Sequence, residues 1–383
     1  MYYTRKIQED VIVGLRNNPV TAIIGPRQVG KTSLAKHIIG ELEIDSIYLD
    51  LERPSDLLKL ENAEWFLSQQ KGKLICLDEI QRKEDLFPLI RSLVDEWGGN
   101  GHFLILGSAS RQMIKQSSES LAGRISYKEM SPFLYSELNL EITVEDYLVK
   151  GGFPRSILVE DNQASFEWRE DFVTTFLERD LLFWSGFSTQ TMRRLWQMLA
   201  FVNSQIVNYE VFSKSLGISP GTVKNYIDLL ASTFMLSLLP PYAGNTRKRL
   251  VKRPKVYLND TGIVHSLLGI VDFNQLVGSP ALGGSWETLV LMNLKGHFSK
   301  ADFSFYRTSN GAEMDIVMRF MDKVYAIECK VNQQPKLTRG AWNAIEDIKP
   351  DYTFIVAPVK ESWSVKEGVD VVSIDDLIER ITK

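Results

Sequence analysis

The chain has 383 residues, 44% hydrophobic and 24% charged, with a net charge of −4. At about 100–200 residues per domain this length suggests two or three domains, and the composition is that of folded globular protein, which excludes disordered and fibrous classes. The slight acidity excludes a surface that coats nucleic acid everywhere and leaves room only for a local basic site.

The first 135 residues alternate between apolar strand-like runs and helical patterns. Val20–Gly25, Ser46–Leu51, Leu74–Ile80, His102–Gly107 and Ile125–Met130 read as strands, and Lys31–Leu42 and Phe87–Trp97 as helices. Strands alternating with helices imply parallel βαβ units, and nearly continuous apolar strands imply a sheet covered on both faces. After Pro132 the pattern turns helical: Glu141–Gly152, Ala164–Trp184 and Thr189–Ser204 have helical spacing. Glu210–Gly217 and a helix from Ser219, with Pro220 in its first turn, form a helix-turn-helix pattern. Strands near Leu236–Leu239 and Lys255–Leu258 would supply a wing. A Gly- and Pro-rich, loop-like seam follows near 270–283, then a helix Ser285–Gly296 and strands Phe303–Arg307, Ala312–Met318 and Val324–Lys330.

Gly25-Pro26-Arg27-Gln28-Val29-Gly30-Lys31-Thr32, followed by Ser33, matches the phosphate-loop pattern between a strand and a helix. The glycines let backbone amides turn toward phosphate oxygens at a helix N-terminus. Lys31 supplies a point charge for the outer phosphates of ATP, and the Thr32 hydroxyl a ligand for Mg2+. Asp78 and Glu79 end an apolar strand, at the edge where ligands bind in open α/β sheets. Asp78 suits the magnesium shell and Glu79 the attacking water. Ser108, after the next strand, is a candidate for sensing the γ-phosphate, or a simple turn residue. Arg124 is a candidate finger for a neighbouring subunit's nucleotide, or a surface residue in a salt bridge.

Residues 245–255 hold six basic residues and no acid, Arg247, Lys248, Arg249, Lys252 and Arg253 among them. With Lys224 and Asn225 outward on the second helix of the helix-turn-helix, they are candidates for DNA contact; the alternative is a solvated basic hairpin. In the last third, Glu328 and Lys330 share one face of a strand, Asp315 lies on a neighbouring strand and Glu287 on the preceding helix. This Glu…Asp…Glu-x-Lys set resembles PD-(D/E)xK nucleases. There the three acids are metal ligands and Lys330 activates water; the alternative is a degenerate fold in which Lys330 only pairs with Glu328.

Gly25–Thr32, Asp78-Glu79-Ile80-Gln81, Gly107–Ser110, Leu121–Arg124 and Gly151-Gly152-Phe153-Pro154 together resemble a prokaryotic AAA+ ATPase family whose members carry a C-terminal domain of unknown function. The resemblance implies an α/β P-loop AAA+ core with a parallel sheet (1–135), a helical lid or linker (136–189), a winged-helix-like domain (190–270) and a PD-(D/E)xK nuclease-like α/β domain (271–383). It also implies a homo-oligomer. The second-sensor motif of such proteins is not evident, and Arg179 is a candidate substitute. The expected activity is ATP hydrolysis coupled to DNA, with a metal-dependent nuclease. The alternative is a nucleotide-controlled oligomerising switch whose nuclease-like fold only recognises a partner. A small-molecule kinase ranks lower, for want of an acceptor site.

Cys76 and Cys329 lie in apolar runs and are expected as buried thiols. With no disulfide framework, no leader pattern in Met1–Asp10 and no apolar run of roughly 18 residues, the expectation is a cytoplasmic protein off the membrane.

Overall fold

A computed structural model describes residues 2–107, 120–138, 141–180, 188–244 and 250–383, with the side chains of 179 and 180 left aside. The chain divides into two compact units, Met1–Phe133 with Ser232–Phe234, and Leu134–Ala231 with Met235–Lys383.

The first unit is built on five parallel strands, β1 (Val20–Ile24), β2 (Ser46–Asp50), β3 (Leu74–Asp78), β4 (Phe103–Gly107) and β5 (Ile125–Glu129), in the order β2-β3-β4-β1-β5. β1, β3 and β4 are buried along their whole length, as their continuous apolar sequences require. Helices Lys31–Leu42 and Leu86–Trp97 stand at the expected places. Val20, Ile75, Leu77, Phe87, Ile90 and Phe103 belong to one core on the sheet. Two short helices, Pro54–Lys59 and Ala63–Ser68, were not expected. Asn62 caps the second by accepting from the Trp65 amide (3.2 Å). This strand order puts β1 and β3 on either side of β4, so the segments leaving their C-terminal ends, residues 25–32 and 78–79, converge at one edge.

The second unit opens with helices. Val144–Lys150 is shorter than expected because Thr143 caps it, accepting from the Asp146 amide. Asn162–Thr175 runs into a wider helical turn, Phe176–Asp180. Tyr209–Leu216 ends at Gly217 with φ 67°, and Ser219 Oγ caps Pro220–Ser232 by accepting from the Thr222 amide (3.1 Å). Strands β6 (Leu236–Leu239) and β7 (Lys255–Leu258) pair antiparallel. The segment read as a loop-like seam instead holds helix Phe273–Val277, capped by Asp272, and the start of Ala281–His297. The capping carboxylate outweighs the glycines and proline there.

A six-stranded mixed sheet completes this unit. Its strands are β8 (Asp302–Arg307), β9 (Glu313–Phe320), β10 (Lys323–Cys329), β11 (Tyr352–Val356), β12 (Trp363–Lys366) and β13 (Val369–Val372), in the order β12-β13-β11-β10-β9-β8. Helices Arg339–Ile348 and Ile374–Thr382 accompany it. Among the described residues, no helix is long and apolar enough to cross a membrane. Cys76 is buried, whereas Cys329 is partly covered rather than buried.

One buried polar node ties the helices of this unit together. His265 is fully buried; its Nδ1–H donates to the Val149 carbonyl (3.0 Å), and the Ser285 hydroxyl donates to its Nε2 (2.8 Å). Burial, with Arg169 adding, lowers its pKa from 6.5 to about 4 against the pull of the Val149 bond. A depressed pKa means stability present above pH 6.5 and lost as pH falls through 4. His265→Gln is therefore expected to show its full cost against the native protein near neutral pH. That cost should shrink by about 3 kcal/mol between pH 6.5 and 4, as the native protein forfeits what the variant never had. Nearby Asp260, raised to about 6 mainly by burial, slopes the other way in both proteins, so it drops out of the difference. Denaturant titrations across that range test this; a pH-independent gap refutes it.

Candidate functional site

In the first unit the phosphate loop has the backbone its sequence requires. Gly25 has φ 150° and Gly30 φ 98°, and a Cβ on Gly25 would lie 2.1 Å from the Met130 carbonyl oxygen. Gly30 leads directly into helix Lys31–Leu42. Lys31 is buried, and its Nζ donates to the carbonyls of Gly25 (3.0 Å) and Pro26 (2.7 Å). Val29 is buried, Pro26 lines the loop with it, Gln28 takes φ 62°, and Arg27 and Ser33 are less covered.

Asp78 ends β3, and the Thr32 hydroxyl donates to its Oδ2 (2.6 Å). Residues 46 positions apart thus meet across the top of the sheet. Glu79 follows in the left-handed region, φ 56°, its amide donating to Asp78 Oδ1 (3.0 Å). The side-chain amide of Gln81 donates to the Glu79 carboxylate. Beside them opens a cavity of about 390 Å3, lined by Thr32, Lys36, Tyr48, Asp50, Glu52, Arg53, Asp56, Asp78 and Glu79. Magnesium commonly takes one or two carboxylates plus substrate phosphates rather than a protein cage. A hydroxyl and a carboxylate oxygen already in contact fit that requirement.

The sequence reading gave no role to three residues that act here, Tyr48, Arg5 and Gln81. The Tyr48 hydroxyl also donates to Asp78 Oδ2. Burial, then that bond, raises its pKa, so it stays a neutral donor. Lys36 Nζ lies 4.8 Å over the Tyr48 ring. Arg5 donates to Val29 O (2.9 Å), Ser131 O (2.8 Å) and Pro132 O (3.1 Å), and stacks on Phe133, bracing the outer side of the loop. Gln81, third, holds Glu79. Only Gln81 left a trace in sequence, as part of the strand end. Arg124 forms a two-pronged pair with Asp95, Nε to Oδ1 at 2.5 Å and Nη2 to Oδ2 at 3.0 Å. That bond holds the Asp95 carboxyl below its usual range. Ser108 lies outside the described residues.

In the second unit, Lys224 and Asn225 are exposed on helix Pro220–Ser232, and Lys252 and Arg253 are exposed before β7. Arg247, Lys248 and Arg249 lie outside the described residues. Lys255, last of the basic run, turns inward: only 3% of it is exposed. Its Nζ lies 3.0 Å from Glu287, 3.4 Å from Asp315 and 3.5 Å from Glu313. Burial alone would lower its pKa, but those three carboxylates raise it above the ordinary lysine value. Tyr257, two residues on, donates its hydroxyl to Glu287. The Cys329 amide donates to Asp315 Oδ2 (3.0 Å), and Lys330 Nζ to Glu328 Oε1 (2.7 Å). Burial, with Asp315 adding, pushes Glu287 and Glu328 up from the usual carboxylate range, while Lys255 on the first and Lys330 on the second pull them back toward the charged form. The structure therefore brings Glu287 and Asp315 together with Glu328 and Lys330 close by, and adds Lys255, a cation that the sequence reading counted only as part of the basic run. Among the described residues, no three His, Cys, Asp or Glu side chains converge as a metal cage. A divalent ion does not fit Glu287 and Asp315 while Lys255 stands between them.

The family model of an AAA domain matches residues 17–139, and two domains of unknown function match the remainder, DUF8612 over 141–274 and DUF4143 over 282–377. With the phosphate loop and the parallel sheet, that first match defines the class of residues 17–139: an AAA domain with a P-loop α/β core. Along 95% of its length it is 35% identical to the uncharacterized protein Rv2008c of Mycobacterium tuberculosis, 82% of which is covered. The Mycobacterium bovis protein Mb2031c matches to the same extent. The chain belongs to the family of these proteins. The Methanocaldococcus jannaschii protein MJ1637 is 21% identical, over 87% of this chain and 80% of its own. Among solved structures, the Walker-type ATPase PABY2304 of Pyrococcus abyssi is similar at 15% identity and a TM-score of 0.48, covering 70% of this chain and 96% of that one. DnaA from Aquifex aeolicus, bound to AMPPCP, is similar at 15% identity and a TM-score of 0.32, covering 58% and 85%.

Proposed function

We propose that this protein hydrolyses ATP with Mg2+ on residues 25–33 and 78–79. The Thr32–Asp78 contact beside the glycine-lined loop carries this reading. Lys31 exchanges the Gly25 and Pro26 carbonyls for phosphate oxygens of the nucleotide. Thr32 and Asp78, with Tyr48 steadying Asp78, hold the magnesium. When bound, that ion offsets charge on the transferring phosphoryl group. Glu79 leaves the Gln81 amide and accepts the proton of the attacking water. Ser108 and a trans-acting Arg124, the latter released from Asp95, complete the site in a homo-oligomer.

The finer domain reading is part of the same proposal: AAA+ core 1–135, lid 136–189, winged helix 190–270 and nuclease-like fold 271–383. Lys224, Asn225, Lys252 and Arg253 are exposed and together carry three positive charges, and with Arg247, Lys248 and Arg249 they engage duplex DNA through its phosphates. A second reading, a nucleotide-controlled switch whose nuclease-like fold recognises rather than cuts, is favoured by one observation: Lys255 sits among the carboxylates.

Phosphate release from ATP, measured with and without magnesium and duplex, tests the proposal. Release that needs magnesium and rises with duplex is the expected result. Changing Lys252 and Arg253 to alanine should lower the salt slope of duplex binding by about one per lost phosphate contact. Magnesium-dependent release that ignores duplex would favour the switch, and no release at all would overturn both the hydrolase and its coupling.

A further inference from the structure

We infer that Lys255 is the resident cation of the Glu287–Asp315 cluster, so that this site holds no divalent ion and cuts no phosphodiester through one. A lone ammonium buried this deeply is strongly disfavoured unless charge partners surround it. Three carboxylates do so, at 3.0, 3.4 and 3.5 Å. Its aliphatic stem is also sheltered, and Nζ lies 5.6 Å from the Phe305 ring centroid.

The placement is built into the strand. Lys255 and Tyr257 are two apart on β7 and point to one side, and both donate to Glu287 Oε1. β7 is held in register by β6, where Leu239 pairs with Lys255. Asp315 is committed as well, because its other oxygen accepts the Cys329 amide. Glu328 is taken by Lys330, while its Oε2 is buried without a hydrogen-bond partner among the described residues. Glu313 also meets Arg307 Nη1 (3.5 Å).

Magnesium needs oxygens at about 2.0–2.1 Å in near-octahedral order. An ion taking its oxygens from Glu287 and Asp315 would stand against the ammonium that already touches both, and like charges at that range repel strongly in a buried site. The carboxylates remain after the ammonium is removed. The cluster then becomes a site for a hard divalent cation, with Glu287 and Asp315 as the protein ligands and water completing the shell.

The test is a titration of the nucleotide-free, full-length protein with Mn2+, followed by electron paramagnetic resonance. The native protein and Asp315→Asn should give the same isotherm, which cancels any ion held by Thr32 and Asp78. Lys255→Met should bind one more ion per chain than the native protein, and Lys255→Met with Asp315→Asn should lose it again. Should Lys255→Met fail to fold by circular dichroism, the shorter polar Lys255→Gln takes its place. A native isotherm containing a site that Asp315→Asn abolishes overturns the proposal, as does a folded Lys255 variant that gains no ion.

Discussion

Replacing Lys31 by alanine is expected to weaken Mg–ATP binding at least about a hundredfold. Each charge-assisted hydrogen bond contributes about 1.5–3 kcal/mol, and every 1.4 kcal/mol is roughly tenfold in affinity. The lysine has two such bonds to offer, now spent on Gly25 and Pro26. Giving those up reduces the net gain, which sets the expectation at the lower end. Glu79→Gln should behave differently. Its side chain keeps the shape, and the backbone link from its amide to Asp78 remains. Binding should persist, while turnover falls by about a hundredfold to ten-thousandfold, the usual worth of a general base. Calorimetry of nucleotide binding beside phosphate release separates the two. Equal affinity in Lys31→Ala and the native protein would remove the phosphate-loop reading, and unchanged turnover in Glu79→Gln would remove the assigned base.

The candidate nucleotide site was readable because its parts are local. Eight consecutive residues make the loop, and two more end a strand. Tyr48 was not readable, because its role depends on the pairing of β2 with β3, which sets Tyr48 against Cys76 and Asp50 against Asp78. No pattern in the sequence announces that register. Arg5 likewise acts across more than 120 residues on Ser131 and Pro132. In the second unit, Glu328 and Lys330 showed their shared face through the two-residue period of a strand. Lys255 did not, because a run of basic residues carries no sign of which one turns inward; the acids that draw it in are 32 and 60 positions away. The β12–β13 pair was missed for a simpler reason. Each strand is four residues long; β12 is exposed throughout, so it has no buried face to show in the spacing, and β13, though it buries Val369, Val371 and Val372, is too short to announce a strand.

Arg169→Leu should destabilise the second unit by about 3–5 kcal/mol, the usual cost of breaking a buried charged network from one side. Arg169 is fully buried, and its Nη1 donates to the carbonyls of Val149 (2.9 Å) and Gly262 (3.0 Å), with Nε to Ser165 (3.2 Å). Burial lowers its pKa to about 10, and Asp260 pulls the other way, so it stays charged at neutral pH. Leucine fills much of the volume but donates nothing. Val149 keeps His265 as a partner, and Ser165 lies within the same helix, so the Gly262 carbonyl bears the larger loss. Asp260 is affected too: it caps helix Thr261–Leu268 and accepts the Gly152 amide (2.7 Å). Without the guanidinium its pKa should climb beyond about 6, weakening both contacts near neutral pH. At about 2–4 °C per kcal/mol for a unit of this size, the melting point should fall on the order of 10 °C. Arg169→Lys keeps the charge without the planar fork and should fall between. A lysine variant as unstable as the leucine would assign the effect to the fork, and one that melts with the native protein would assign it to charge; a drop below about 2 °C in the leucine variant would rule out any such role for the node.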